Sequence, residues 1–209
     1  MSVYLTEEEQ IEQIKKYWKK YGTHVMTVIL LIVLSVTGLR FYQGRQATIL
    51  MHASQAFNDL MDTTAKGDII RIEAKANYIK TTYPSTIYAT SSALLLAKQA
   101  TDHKKYQAAN LQLKWVIDNA TSKSFKQIAR LRMSRIYLYQ KQYAQALKTL
   151  DSVDEALFSS IIHEVKGDIY FAQGKTTDAN QQYKLALADL PNASLASKQL
   201  KMKLTSAEG

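Results

Sequence analysis

The residues of this chain that could carry chemistry are its histidines and one acidic cluster. The histidines are far apart, and none has another metal-binding side chain at the spacing that zinc sites use. The chain has no cysteine, so it forms no disulfide and performs no thiolate chemistry. We therefore interpret the four histidines as surface or packed imidazoles; they are His24, His52, His103 and His163.

The acidic cluster consists of Asp151, Asp154 and Glu155, between two predicted helices. It lacks the spacing of a calcium-binding loop, so helix capping and solvation explain it. The sequence also lacks a nucleophile elbow, a glycine-rich phosphate loop and an H-E-x-x-H motif. We predict that the protein is not an enzyme and uses no cofactor or metal. An envelope enzyme is the alternative, which a pocket of convergent polar groups with shifted pKa values would support.

One segment near the N-terminus decides where any binding residue works. Residues 21–39 contain no Asp, Glu, Lys or Arg, and as a helix they reach roughly 28 Å, close to the hydrocarbon thickness of a bilayer. We predict a transmembrane helix at residues 21–40. Aromatic residues flank it as they flank membrane spans in general: Tyr17, Trp18 and Tyr21 before it, Phe41 and Tyr42 after it.

The orientation of the span follows from the basic residues beside it. Four lysines lie in residues 15–20, whereas only Arg40 and Arg45 follow soon after the span. Because Lys and Arg are retained on the cytoplasmic side, we predict that residues 1–20 are cytoplasmic and that residues 41–209 form an exported, periplasmic domain. A cleaved signal peptide, a buried core helix and a re-entrant hairpin are the alternatives. Three small residues could seat a helix of another membrane protein: Gly22, Ser35 and Gly38.

The exported part carries the positive charge. Residues 1–20 hold four basic and four acidic residues, so the net charge of +9 lies wholly in the remainder. Nucleic acid is not the usual partner beyond a bacterial inner membrane, so anionic membrane lipid or acidic proteins are better candidates. A lysine-rich surface that only keeps the domain soluble is the alternative.

Apolar residues recur at intervals of three and four along the exported part, which predicts an all-α fold. Proline and glycine number only two and seven, which argues against a long disordered linker. We place helices at residues 47–64, 68–81, 85–99, 106–119, 124–140, 143–150, 157–172, 177–190 and 194–204. The first of them is either separate from the span or continuous with it.

Several of these helices pair into repeated hairpins. The second helices begin alike, with alanines at Ala109, Ala146 and Ala179, which are 37 and 33 residues apart and bracket the 34-residue tetratricopeptide period. We predict a tetratricopeptide-like α-solenoid, with a generic helical bundle as the alternative. The last unit fits best: small residues where helices approach, tyrosines that fill gaps, and a proline that stops the helix, at Gly167, Tyr170, Ala179, Tyr183, Ala186 and Pro191.

In solenoids of this type the first helix of each hairpin lines a concave groove. A groove of apolar and mixed charged residues suits an extended peptide or a partner helix. The alternative is that its apolar members only pack against neighbouring repeats. The predicted groove residues are Leu94, Lys98, Leu131, Arg135, Leu138, Glu164, Asp168 and Phe171.

The order of these features resembles a known family. An acidic N-terminus, then K-K-Y-W-K-K, a span ending in L-R-F-Y, and three degenerate repeats are similar to the ancillary SecYEG translocon subunits of Gram-negative bacteria. The similarity includes residues 131–151, L-R-M-S-R-I-Y-L-Y-Q-K-Q-Y-A-Q-A-L-K-T-L-D, and residues 167–175, G-D-I-Y-F-A-Q-G-K.

The resemblance implies a single-span inner-membrane protein whose periplasmic repeat domain associates with the SecYEG channel. It also implies a second partner, a membrane-anchored periplasmic chaperone of the peptidyl-prolyl isomerase type, which the protein would hold near emerging secretory proteins. Because repeat domains are reused widely, an adaptor for cell division or envelope assembly is the alternative function.

Overall fold

The computed structural model describes residues 7–190 and 194–208, which contain helices and no strand. The predicted helices match α2 to α8 to within three residues at each end, and Pro191 lies outside the described residues. The helices are α1 (Glu7–Ala65), α2 (Ile69–Thr82), α3 (Ile87–Asp102), α4 (Tyr106–Asn119), α5 (Lys123–Tyr139), α6 (Tyr143–Leu150), α7 (Glu155–Ala172), α8 (Thr176–Ala188) and α9 (Leu195–Glu208).

The chain divides into an N-terminal unit, residues 1–51, and a C-terminal unit, residues 52–209. In the N-terminal unit α1 shows no break between Arg40 and Ala47, so the helix after Arg40 continues the predicted span. Every residue from 23 to 50 is exposed, including the whole apolar run. The alternative of a buried core helix is therefore wrong. Among the described residues, α1 is the one helix long and apolar enough to cross a membrane.

Two threonines of the apolar run satisfy their hydroxyls within the helix. Thr27 and Thr37 donate hydrogen bonds to the carbonyls of Thr23 and Val33, at 2.8 and 2.7 Å. In hydrocarbon an unpaired hydroxyl would cost several kcal/mol, so this pairing suits a helix surrounded by lipid.

The hairpins of the C-terminal unit share one turn geometry. The residues at the turns after α1, α3, α5 and α7 all have positive φ: Gly67 at 75°, Lys104 at 57°, Lys141 at 60° and Gly174 at 75°. In the last three turns the next amide donates to a carbonyl five residues earlier, at 2.7 to 2.9 Å. This left-handed C-terminal cap recurs with the spacing of the repeats, so the repeat is a structural unit and not a chance pattern.

Small residues lie where the helices of each hairpin meet. Ala109, Ala146 and Ala179 are all fully buried near the starts of α4, α6 and α8. A Cβ atom added to Gly167 would lie 2.4 Å from Cε1 of Tyr183, so only glycine fits beneath that ring. The close approach that the sequence predicts at Gly167 and Ala179 is confirmed.

The core of the C-terminal unit is a series of local clusters. One joins the end of α1 to α2 and α3, and others follow along the helix pairs up to α8 and α9. Each cluster is built from consecutive helices, as expected when a repeat buries its apolar face against its neighbours. The all-α, tetratricopeptide-like solenoid predicted from the sequence is confirmed.

Candidate protein-binding surface

The eight predicted groove residues lie on α3, α5 and α7, the first helices of the three hairpins. Two of them are core residues, because Leu94 is 9% exposed and Leu131 is 4% exposed within apolar clusters. Leu138 is half-buried against the same core as Leu131, whereas Phe171 is 43% exposed. The two buried leucines therefore do not offer a partner surface, whereas Phe171 is exposed and the polar residues lie outside the apolar clusters.

Three of the predicted residues meet in one ionic network with a residue from α9, which we call the charge cluster: Arg135, Glu164, Asp168 and Lys203. The Lys203 ammonium lies 2.7 Å from Oε1 of Glu164 and 2.8 Å from Oδ2 of Asp168. Arg135 Nη2 is 3.4 Å from Oε2 of Glu164, a longer contact. Each carboxylate of the charge cluster thus has a cation beside it, and the last helix supplies the one that bridges both.

The charge cluster continues into the core through Tyr183, which is 2% exposed and donates a 2.9 Å hydrogen bond to Oδ1 of Asp168. Burial, followed by the charge and hydrogen bond of Asp168, raises the pKa of Tyr183 far above its ordinary value. Burial lowers the pKa of Lys203, but its hydrogen bonds to Asp168 and Glu164 outweigh that effect and the pKa is raised. Protonated tyrosine and charged lysine are therefore the forms that this fold stabilises.

A second polar region lies between α3 and α5, and we call it the α3–α5 cleft. Its volume is about 290 Å³, and its apolar residues are Ala97, Leu113 and Ile136. Both helices contribute charge to it, and the Lys98 ammonium pairs with Asp102 at 2.6 Å. The other lining residues are Thr101, Arg132, Arg135 and Tyr139. The cleft brings together Lys98 and Arg135, which the sequence assigns to one groove.

The small residues of the N-terminal unit do not share one helix face. At about 100° per residue, Gly22 lies about 160° around α1 from Gly38, whereas Ser35 and Gly38 are one turn apart. Gly22 is covered by its own helix, because a Cβ there would lie 3.2 Å from the Trp18 indole. Nothing lies within 4 Å of the corresponding position at Gly38. If this helix contacts another, the face of Ser35 and Gly38 is the accessible one.

Over the part of the chain that the structure describes, no three His, Asp or Glu side chains lie close enough to hold a metal ion. His163 uses its Nδ1 in a 2.8 Å hydrogen bond with Oε1 of Gln182, between α7 and α8. This is the packed imidazole that the sequence analysis favours for a lone histidine.

Comparison with known proteins agrees with this architecture. A family model described as a tetratricopeptide repeat-like domain matches residues 15–209. The ancillary SecYEG translocon subunit of Neisseria gonorrhoeae is 31% identical over 207 residues, which is 99% of this chain and 99% of that protein. This chain belongs to the ancillary SecYEG translocon subunit family. The subunits of Haemophilus influenzae and Escherichia coli are 26% and 24% identical, covering 98% and 88% of each chain. No solved structure shows a significant match.

In this member of the family, sequence reasoning missed the partners of the groove residues. Tyr183 lies on α8 and Lys203 on α9, and both contact Asp168 on α7. No local spacing in the sequence predicts these contacts. Sequence reasoning also missed two residues of α5 that line the cleft. Arg132 is next to the predicted Leu131, and Tyr139 is four residues after the predicted Arg135.

Proposed function

We propose that this chain is a non-catalytic subunit that associates with the SecYEG translocon and holds a periplasmic chaperone beside emerging secretory proteins. The proposal rests on one combination of features: an apolar run in α1 that is exposed throughout residues 23–50, and a solenoid with charged and apolar residues at its surface. Relatives over nearly the full length are named as translocon subunits, which supports this function over an adaptor for cell division or envelope assembly.

The mechanism we propose is tethering. A membrane span confines the solenoid to the bilayer in which the channel lies, and confinement of two partners raises their effective concentration without a tight contact. The face of Ser35 and Gly38 is the part of α1 that would lie against a channel helix, because small residues allow backbones to approach closely. The solenoid is then free to bind a chaperone of the peptidyl-prolyl isomerase type.

Photo-crosslinking in intact cells tests the partners directly. A crosslinker at Lys98 or Phe171, on the groove side of α3 and α7, should capture translocon and chaperone proteins, identified by mass spectrometry. A crosslinker at Lys148, which is exposed on α6, is the matched control. Capture from Lys148 but not from the groove positions would contradict the groove, and capture of neither partner from any position would contradict the function.

The orientation is tested separately. The four lysines in residues 15–20 favour a cytoplasmic N-terminus, so a reporter active only in the periplasm should work when fused to the C-terminus. The same reporter at the N-terminus should be silent. The reverse result would place the solenoid in the cytoplasm and remove the proposed chaperone from reach.

A further inference from the structure

The positive charge of the chain is concentrated in one part of the solenoid. Residues 103–150 contain ten of the 27 lysines and arginines but only one of the 18 acidic residues, Asp118. The rest of the chain has 17 of each sign, so this basic segment accounts for the entire net charge of +9. It comprises α4, α5, α6 and the turns before and between them. A surface that is charged only for solubility has no reason to confine its charge in this way.

The α3–α5 cleft lies in this positive field. Of the cations that line it, Lys98 is paired with Asp102, and Arg135 reaches Glu164 only at 3.4 Å. Arg132 is exposed and has no carboxylate partner among the described residues. The cleft thus presents unneutralised positive charge beside the exposed Tyr139 ring, whereas Ala97, Leu113 and Ile136 beneath it are buried core residues.

Two lysines that follow cleft residues closely in sequence have left-handed backbone. Lys104 and Lys141 are each two residues beyond a lining residue, and both have left-handed φ, where Gly67 and Gly174 occupy the corresponding positions of the outer turns. A left-handed residue with a side chain costs roughly 1–2 kcal/mol relative to glycine. Strain that a glycine would relieve points to a use for the side chain.

We propose that the α3–α5 cleft, with Lys104 and Lys141 at its edge, binds an extended acidic segment of a protein partner. Acidic side chains of that segment meet Arg132 and the two lysines, and an apolar or aromatic side chain enters the cleft beside Tyr139. A polypeptide fits better than a lipid surface because Tyr139 and Arg132 line a concave site of about 290 Å³ that a flat headgroup layer does not enter. This inference rests on the proposed function and specifies the chemistry of the partner.

The test uses the full chain in nanodiscs of neutral phosphatidylcholine. The probe is a fluorescein-labelled peptide of alternating glutamate and leucine, and the matched peptide carries glutamine in place of glutamate. Fluorescence anisotropy should show saturable binding of the glutamate peptide, weakened by added salt, and little binding of the glutamine peptide.

Charge-reversal variants then locate the site. R132E should weaken binding by about tenfold, and R132K should restore it, because the charge and not the guanidinium fork is needed. K148E makes the same charge change within the basic segment but outside the cleft, and should alter binding by less than about twofold. Equal losses for R132E and K148E would show diffuse attraction and overturn the proposal.

Two further outcomes separate this inference from the proposed function. If the glutamate peptide does not bind but phosphatidylglycerol vesicles do, the basic segment is a lipid-binding surface and the inference is wrong. In a parallel detergent pull-down, equal capture of translocon and chaperone by the intact chain and by R132E would contradict the role of the cleft and leave the proposed function intact. Capture of neither partner by the intact chain would reject the function, while peptide binding with the stated variant pattern would still support the cleft.

Discussion

The α3–α5 cleft and the charge cluster on α5, α7 and α9 use the same kinds of side chain and differ in how those side chains are paired. In the charge cluster each carboxylate meets a cation, and Lys203 bridges Glu164 and Asp168 at 2.7 and 2.8 Å. In the cleft Arg132 has no carboxylate partner within the described residues. Both regions lie in the predicted groove, but only one leaves charge available to another molecule.

The difference shows that lining a groove and binding a partner are separate properties. A charged group that is already paired and half-buried stabilises its own fold, and a partner would have to displace an existing ion pair to reach it. An unpaired, exposed arginine contributes little to stability and is available for recognition. We therefore expect mutations in the charge cluster to lower stability, and mutations in the cleft to alter binding.

The largest effect should come from the support of the charge cluster. G167A places a Cβ against the Tyr183 ring, which is buried and fixed by its hydrogen bond to Asp168. Overpacking of this kind costs about 1–3 kcal/mol. Urea unfolding of the full chain in detergent, followed by circular dichroism, measures the loss.

The matched control is G174A, which has open space around the added carbon but a left-handed φ of 75°. It should cost about 1 kcal/mol, from backbone strain alone. A smaller loss for G167A than for G174A would mean that the ring moves aside easily, and the charge cluster would not be a rigid structural element.

A direct comparison of the two regions removes one cation from each. K203M leaves Glu164 and Asp168 close together without their shared counter-ion and should cost about 1–2 kcal/mol, less than for a fully buried pair because Lys203 is 34% exposed. R132M should change the free energy of unfolding by less than about 0.5 kcal/mol. Equal losses in the two variants, measured by the same urea unfolding, would remove the distinction between the regions.

The sequence predicted interactions between residues that are close in the chain and missed those between residues that are far apart. The alanines at 109, 146 and 179 lie at helix starts and repeat with the period of the fold, so local pattern was enough to predict the hairpins and the solenoid. The contact between Lys203 and Glu164 joins residues 39 positions apart, and nothing in a helical period indicates which side chain crosses that distance. The pairing that distinguishes the two regions was therefore beyond sequence reasoning.

Two further residues show where pattern misleads. Leu94 and Leu131 are on the first helices of hairpins, but those helices turn one face to the groove and another to the core, and the phase places both leucines in the core. The turn after α3 carries no glycine to mark it in the sequence, because Lys104 has the left-handed backbone conformation that glycine usually adopts. Helix position suggested a groove surface for the two leucines, which are buried, and residue type suggested ordinary backbone for Lys104, which is left-handed.

The left-handed turns at Lys104 and Lys141 allow a further test of the cleft. K104G and K141G should each raise the free energy of unfolding by about 1 kcal/mol, because glycine adopts the left-handed conformation without steric cost. The same variants should weaken binding of the glutamate peptide. Stability rising while binding falls would show that the lysines are kept for recognition. Unchanged stability would mean that the turns carry no strain. Backbone strain would then no longer support a binding role for the two lysines.

The smallest expected effect is on the alkaline side of the pH range, where Lys203 and Lys80 act in opposite directions. The pKa of Lys203 is raised in the fold, so its stabilising contribution is complete below the unfolded value of about 10.4 and is lost as the pH rises through the folded value. Tyr183, whose pKa is also raised, acts in the same direction from an unfolded value of about 10.

Burial lowers the pKa of Lys80, with Glu73 opposing, so deprotonation of Lys80 favours the fold as the pH rises. The free energy of unfolding of the intact chain, measured in urea from neutral pH to about 11, should therefore fall only above about pH 10. The fall should be shallower in K203M, which has lost the contribution, and steeper in K80M, which has lost the opposing one. Identical pH profiles for the two variants would mean that Lys203 gains no more from its carboxylates than an ordinary surface lysine, and the charge cluster would then resemble the cleft.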